Sequence, residues 1–184
     1  MSLSSFFIHS ISVNNCTFAR LIVIPMLSST EIEQRTLRAR ELHRAGFNCS
    51  QAVFASCSDL YGIGEEQALR LSASFGGGIG GTRNVCGAVC AMCMLEGLHS
   101  GSAIQGDLQG KKANYSRVQV LLEEFKQQHG NSIICAELLQ NPTNPSCNDK
   151  VANATRIALR SLDSQDGLFD VHAGLFDVHA GSCT

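Results

Sequence analysis

The amino-acid sequence predicts an all-α protein, a single small bundle of about six helices with a glycine-rich loop before a central buried helix. Three observations support this fold class. Helix-capping residues recur ahead of segments with helical spacing, one segment is apolar almost all round, and alternating strand patterns are scarce. With 184 residues, of which 44% are hydrophobic, the chain is long enough to bury one core without a disulfide framework.

Three helices are predicted before the glycine-rich loop. Thr30 and Glu33 resemble a capping box, and the helical pattern that follows it ends at a glycine. Asn48 is a favourable cap for a second helix, which the pattern extends toward Leu60. A third, short helix fits residues 65–73.

A dense glycine loop precedes the helix predicted to be central. Five of the seven residues in 75–81 are glycine, so an ordered loop is costly in backbone entropy and must have a positional role. The segment that opens at Asn84 or Val85 is apolar around nearly its whole circumference. This pattern predicts a buried helix, which ends near Gly97 and Gly101.

The second half of the chain completes the predicted bundle. After a polar loop over residues 102–112, helical spacing returns over residues 115–129. One or two helical turns fit residues 135–139. Ser146 with Asp149 then resembles the cap of a last helix.

Both ends of the chain differ from the predicted bundle. Residues 1–29 are predicted to be a leader, either a targeting segment or a disordered extension, and residues 30–162 form the helical domain. Residues 163–184 are predicted to be a disordered tail in which GLFDVHA occurs twice in succession. The apolar run of the leader is seven residues long and is broken by Pro25, so it is too short to cross a membrane. We therefore expect no membrane insertion and a cytoplasmic location.

Charge and motif content exclude several classes of function. Charged residues are 16% of the chain and the formal net charge is -2, so no basic surface for nucleic acid is expected. No hydrolytic triad order, paired-carboxylate motif or phosphate-binding P-loop stands out. The unusual residue is cysteine, with nine in the chain.

Four cysteines fall at predicted helix starts: Cys49, Cys86, Cys135 and Cys147. The free backbone N–H groups and the positive dipole end of a helix stabilise a thiolate or an anionic cluster at such positions. Four cysteines is also the ligand number of a [2Fe–2S] cluster, a [4Fe–4S] cluster or a structural zinc ion. The competing interpretation of each is a buried, inert cysteine.

The glycine loop is a candidate cofactor-binding element. Its N–H groups are expected to form a nest that lets the backbone approach cluster sulfides or a bound anion closely. The glycines in question are Gly76, Gly77, Gly78, Gly80 and Gly81.

The remaining cysteines and histidines are given smaller roles. Cys57, Cys90 and Cys93 are interpreted as core residues, the last two lining the site. Cys16 and Cys183, near the two ends of the chain, are given no role. Among the histidines, His99 is expected to approach the cysteines and His43 to be solvated.

A combination of segments resembles one known family. The segments are GFNCSQAVF at 46–54, SFGGGIGG at 74–81 and CGAV at 86–89, followed by Cys135 and Cys147. In this order they resemble the C-GCAxxG-C-C redox-active proteins over about residues 30–162. The resemblance implies an all-helical redox domain in which the four cysteines named above are the characteristic ones, with an iron–sulfur site. A related module carries an iron centre in split-Soret cytochromes. This chain departs from the motif at its last position, where Ala91 replaces glycine.

The resulting functional expectation is electron transfer or redox sensing through a four-cysteine iron–sulfur cluster. Thiol–disulfide exchange is the first alternative, and a non-catalytic helical module stabilised by a four-cysteine zinc site is the second. No motif specifies a substrate; if the protein has an enzymatic role, it is as an oxidoreductase component. The expected partners are a redox protein, a membrane-transport-associated protein or a second copy of the chain.

Overall fold

The computed structural model describes residues 27–163, and within them the protein is all-α, as predicted. Short 3₁₀ turns at Ser58–Tyr61 and Ala73–Phe75 flank α3. The seven helices are α1 Ser29–Arg44, α2 Cys49–Ala55, α3 Glu65–Ser72, α4 Gly87–Ser100, α5 Leu108–Gln128, α6 Cys135–Gln140 and α7 Cys147–Asp163. The predicted tail repeat, all but the last three residues of the predicted leader, and Cys16 and Cys183 lie outside the described residues.

Helix α4 is the centre of the bundle, which confirms the helix predicted to be buried. It packs against α2, α5 and α7, while α1 lies against α2 and α7. Its side chains Ala88, Ala91, Met92 and Leu95 are at most 1% exposed. These four side chains recur at spacings of three and four residues, so they form one buried stripe along α4.

One charged residue interrupts this apolar helix. Glu96 is 1% exposed, yet its carboxylate accepts hydrogen bonds from Arg117 of α5 and from Ser100 and Ser161. The Arg117 Nε to Glu96 Oε1 distance is 2.5 Å. A buried carboxylate is tolerated only when it is paired and hydrogen-bonded, and this one joins α4, α5 and α7 at the end of α4 far from its first turn.

Several helix boundaries differ from the sequence-based prediction. The first helix starts earlier than predicted because Ser28 and Glu31, not Thr30 and Glu33, form the capping box. The second helix does not reach Leu60 as an α-helix, since it ends at Ala55 and continues as a 3₁₀ turn.

The fifth helix shows the largest difference. It begins at Leu108, whereas the sequence predicts a polar loop over residues 102–112. The carboxylate of Asp107 accepts a hydrogen bond from the Gly110 N–H at 2.7 Å, and this cap starts the helix inside the polar stretch. The first turns of α5 carry exposed side chains, which is why an amphipathic pattern does not reveal them.

No helix within residues 27–163 combines the length and the apolar composition needed to cross a membrane.

Candidate functional site

The four cysteines at predicted helix starts line a single cleft of about 190 Å³. Cys49, Cys135 and Cys147 are the first residues of α2, α6 and α7, and Cys86 is the residue that caps α4. The first turns of four helices therefore meet at one place, and each contributes one thiol. Cys86 and Cys135 are buried, Cys49 is half-buried and Cys147 is exposed at the mouth.

The position of Cys49 is determined by the cap beside it. Asn48 Oδ1 accepts hydrogen bonds from the N–H groups of Ser50 and Gln51, both at 3.0 Å, and Gln51 Oε1 accepts from the Asn48 N–H at 3.1 Å. This reciprocal capping box, predicted from Asn48, turns the chain so that Cys49 enters the cleft. The Cys49 sulfur then accepts hydrogen bonds from the N–H groups of Ser50 and Gly77.

Cys49 and Cys86 form a hydrogen-bonded pair. The Cys86 thiol donates to the Cys49 sulfur, and together with the two backbone N–H groups this lowers the pKa of Cys49 despite its burial. The same hydrogen bond and the burial of Cys86 raise the pKa of Cys86 well above the usual thiol value. The pair therefore holds one proton, on Cys86, and presents a thiolate at Cys49.

The residue after Cys86 explains how α2 and α4 approach so closely. A Cβ atom on Gly87 would lie 2.7 Å from the Cys49 sulfur and 2.6 Å from the carbonyl oxygen of Phe75. Glycine is thus required at the start of α4 for contact with Cys49. Ala91, which replaces glycine in the motif, lies one turn later and is fully buried in the core.

The glycine loop contributes one glycine to the cleft. Residues 77–81 all have positive φ values, between 60° and 78°, so the loop follows a left-handed path. Gly77 lines the cleft and donates to Cys49. The N–H groups of Gly80 and Gly81 are used inside the loop, where they donate to the carbonyl oxygens of Ser74 and Gly76. Among the glycines predicted to bind a cofactor, Gly77 is the one that the structure brings to the cysteines.

The loop also packs directly on the cap of α2. A Cβ atom on Gly76 would lie 2.4 Å from the Asn48 side chain, and one on Gly78 would lie 2.8 Å from the backbone at Arg83. Gly76 and Gly78 therefore serve close packing that keeps Gly77 against Cys49.

Cys135 is held to Cys86 by main-chain hydrogen bonds. The Cys86 N–H donates to the Ile133 carbonyl at 2.8 Å, and the Cys135 N–H donates to the Asn84 carbonyl at 2.7 Å. These bonds flank an isolated antiparallel β-bridge between Val85 and Ile134. Two chain segments separated by about fifty residues thus run side by side into α4 and α6, and their first cysteines enter the same cleft.

Cys147 begins α7 after a second cap that the sequence predicted. The Ser146 hydroxyl accepts a hydrogen bond from the Asp149 N–H at 3.2 Å and donates to the Asp149 carboxylate at 2.6 Å. Desolvation raises the pKa of Cys147, and the nearby Cys49 and Cys135 add to this effect while Lys150 opposes it. The mutual influence of these thiols reflects their gathering in one cleft.

The cleft also contains basic residues that the sequence-based prediction missed. Arg83, Lys150 and His43 line it, and no carboxylate among residues 27–163 does. Arg83 Nη1 lies 3.9 Å from the Cys135 sulfur, and Lys150 is 3% exposed with its ammonium donating to the Pro145 carbonyl. Lys150 follows Cys147 by three residues on one helix and so was detectable as a neighbour. Arg83 and His43 reach the cleft through tertiary packing, which no local pattern predicts.

The prediction that His99 approaches the cysteines is wrong. His43 of α1 lines the cleft, whereas His99 lies near Glu96 and Arg117, and burial lowers its pKa. His99 lies in the last turn of α4, at the end of the helix opposite to Cys86.

The other described cysteines do not line the cleft. Burial raises the pKa of both Cys57 and Cys93 to about 11, which is typical of inert core thiols. Cys90 is half-buried one turn below Cys86, where its thiol donates to the Val85 carbonyl at 3.9 Å. Neither Cys90 nor Cys93 lines the cleft with the four.

Within residues 27–163, no group of three or more His, Cys, Asp or Glu side chains is arranged to hold a metal ion. The four thiols nevertheless line one cleft.

Comparison with known proteins identifies the family. The family model described as "Putative redox-active protein (C_GCAxxG_C_C)" matches residues 47–161, more than half of the chain. The chain belongs to this family. The C_GCAxxG_C_C match covers all four cleft cysteines and α2 to α7, up to two residues before the end of α7, and leaves α1 outside its range. No curated protein and no solved structure matches the chain.

Proposed function

We propose that this C_GCAxxG_C_C protein carries an iron–sulfur cluster on Cys49, Cys86, Cys135 and Cys147 and uses it for electron transfer or redox sensing. The observation that supports this proposal is that thiols from the first turns of four separate helices line one cleft. A structural cysteine gains nothing from such placement, whereas an anionic cluster gains the favourable field of four helix starts.

The donor set and the charges of the cleft suit such a cluster. Four thiolate ligands around iron and sulfide carry a net negative charge, and the described lining residues include Arg83 and Lys150 but no carboxylate. Zinc with four cysteines requires the sulfurs to converge about 2.3 Å from one point. Within residues 27–163 no three such side chains are arranged to hold one ion, which counts against a preformed zinc site.

The residues of the chain have distinct roles in this proposal. Cys49 supplies a ligand that is already a thiolate, because Cys86, Ser50 and Gly77 hydrogen-bond to its sulfur. The Gly77 N–H and the Arg83 guanidinium then stabilise charge on the sulfurs. When bound, the cluster supplies one-electron redox chemistry. A partner redox protein would donate or accept the electron. We place the protein in the cytoplasm, where thiols remain reduced.

The test is the metal and sulfide content of the full-length protein purified without oxygen. Iron with equimolar acid-labile sulfide and a brown colour would support the proposal. Serine variants at each of the four cysteines should lose most of the iron and sulfide, while Cys93→Ser, on the same central helix but outside the cleft, should keep them. A colourless protein without iron or sulfide after reconstitution would refute the cluster, and zinc without sulfide would support a structural zinc site.

Thiol–disulfide exchange is the second candidate, and the contact between Cys49 and Cys86 favours it. A thiolate hydrogen-bonded to a neighbouring thiol is arranged for disulfide formation once an oxidant such as glutathione disulfide is present. Its signature is the reversible loss of two thiols from metal-free protein across a glutathione redox titration. Cys86→Ser should abolish this loss, and Cys147→Ser should leave it unchanged.

A further inference from the structure

We infer that Arg83 is a positioning residue that sets the reduction potential of the redox group in the cysteine cleft. The inference rests on the proposed iron–sulfur function, and it concerns a residue outside the four cysteines. Three observations support it: the strained backbone of Arg83, its contact with Cys135 and, within residues 27–163, the lack of a carboxylate partner.

The backbone of Arg83 adopts a conformation that a side chain normally avoids. Its φ of 65° lies in the left-handed region, where a residue other than glycine, asparagine or aspartate is uncommon. Two hydrogen bonds hold it there: the Arg83 N–H donates to the Gly77 carbonyl, and the Ala136 N–H donates to the Arg83 carbonyl, both at 3.1 Å. Strain of this kind persists where the surroundings enforce it, and it is concentrated at functional positions.

This strained position directs the guanidinium to sulfur. Arg83 Nη1 lies 3.9 Å from the Cys135 sulfur, and the side chain lines the cleft that all four cysteines share. Six other arginines within residues 27–163 are paired differently, with carboxylate partners. They are Arg35 with Asp59, Arg38 with Glu65, Arg40 with Asp149, Arg70 with Glu66, Arg117 with Glu96 and Arg156 with Glu33. In the described part of the chain Arg83 has no such pair, so its charge acts on the thiols without compensation.

The physical effect on a redox group has a definite sign. One-electron reduction adds a negative charge to the cleft, and a cation that donates to a ligand sulfur stabilises the reduced form more than the oxidised form. Arg83 therefore raises the potential, and its removal lowers it. Because Arg83 is an exposed residue, screening by solvent and salt reduces the effect below that of a buried charge.

The experiment compares three substitutions of Arg83 in the anaerobically purified full-length protein. Arg83→Gly relieves the strained backbone, Arg83→Asn tolerates a positive φ, and Arg83→Lys keeps the charge but loses the forked donor. The potential is measured by spectroelectrochemical titration, and the melting temperature is measured on the same samples. Arg70→Gln, which removes an exposed arginine paired with Glu66 on α3, is the matched control.

We expect Arg83→Gly and Arg83→Asn to decrease the equilibrium constant for reduction about tenfold, which for one electron corresponds to about 59 mV. Arg83→Lys should give an intermediate shift, Arg70→Gln none, and Arg83→Gly a melting temperature no lower than that of the wild type. An unchanged potential in all Arg83 variants that retain the cluster would overturn this inference alone. Wild-type protein without iron or sulfide would overturn the proposed function and this inference with it.

Discussion

The cysteine cleft has two halves that are built differently. The inner pair, Cys49 and Cys86, is joined by a sulfur–sulfur hydrogen bond, and Gly87 brings α2 and α4 into direct contact. The outer pair, Cys135 and Cys147, starts α6 and α7, and it shares the cleft with the basic side chains of Arg83 and Lys150. In the inner pair, thiol acidity is set by one thiol acting on the other. At Cys147 of the outer pair, burial raises the pKa of the thiol and Lys150 opposes this effect.

This difference separates two requirements of a thiol site. The inner pair provides a pre-ionised sulfur in a fixed position, because close packing leaves no room for movement. The outer pair completes the set of four at a position closer to solvent, where Cys147 is exposed. Chemistry that needs an acidic thiol should therefore begin at Cys49, and exchange with solvent or with a partner should occur beside Cys147.

The largest expected effect is on thiol reactivity in reduced, metal-free protein. The lowered pKa of Cys49 keeps it ionised well below the usual thiol value of 9.0, whereas the raised pKa of Cys147 keeps it protonated there. At pH 6 we expect iodoacetamide to label Cys49 about tenfold to a hundredfold faster than Cys147, although Cys147 is more exposed. Peptide mass spectrometry of timed samples measures both rates. The preference should shrink as pH rises above 9, because Cys147 then ionises.

A substitution at Cys86 tests the cause of this reactivity. Cys86→Ala removes the thiol that donates to Cys49, so the labelling profile of Cys49 should move to higher pH. Cys57→Ala is the matched control, since Cys57 is buried away from the cleft and its loss should leave the profile of Cys49 in place. Faster labelling of Cys147 than of Cys49 at pH 6 would contradict the assignment of the thiolate to the inner pair.

The second prediction concerns the close contact that defines the inner pair. Gly87→Ala places a Cβ 2.7 Å from the Cys49 sulfur and 2.6 Å from the Phe75 carbonyl, so we expect a loss of about 1–3 kcal/mol of unfolding free energy. Gly97→Ala lies on the same helix with open space around its Cβ, and it should gain about 0.5–1 kcal/mol. Urea unfolding of the full chain measures both. Equal behaviour of the two variants would mean that α2 and α4 separate without cost.

The sequence predicts the parts of this site that depend on local chemistry. Asn48 and Ser146 are followed three residues later by Gln51 and Asp149, and each of the two caps forms and places a cysteine at a helix start. The apolar pattern of α4 similarly predicts its central position.

The parts that were missed depend on contacts between distant segments. Arg83 acts on Cys135 across 52 positions of the sequence, and His43 comes to the cleft from α1. The glycine loop was expected to surround a ligand with its amides, but its left-handed path turns the N–H groups of Gly80 and Gly81 onto its own carbonyls. Such a path is decided by packing against Asn48 and Gly87, which residue types along one segment do not reveal.

The smallest expected effect compares the two caps that place the inner and outer pairs. Asn48→Ala removes two accepted N–H bonds and the hydrogen bond from Nδ2 to the Ala73 carbonyl at 2.8 Å, so we expect a loss of about 2 kcal/mol. Ser146→Ala removes one accepted N–H bond at an exposed position, and a loss of about 1 kcal/mol is expected. Asn48→Asp keeps the acceptor but not the hydrogen bond to the Ala73 carbonyl. Its loss of unfolding free energy should therefore lie between those of Asn48→Ala and Ser146→Ala. Denaturant midpoints at constant m values measure the unfolding free energy of all three variants. A larger loss for Ser146→Ala than for Asn48→Ala would show that the outer half of the cleft contributes more to stability than the inner half.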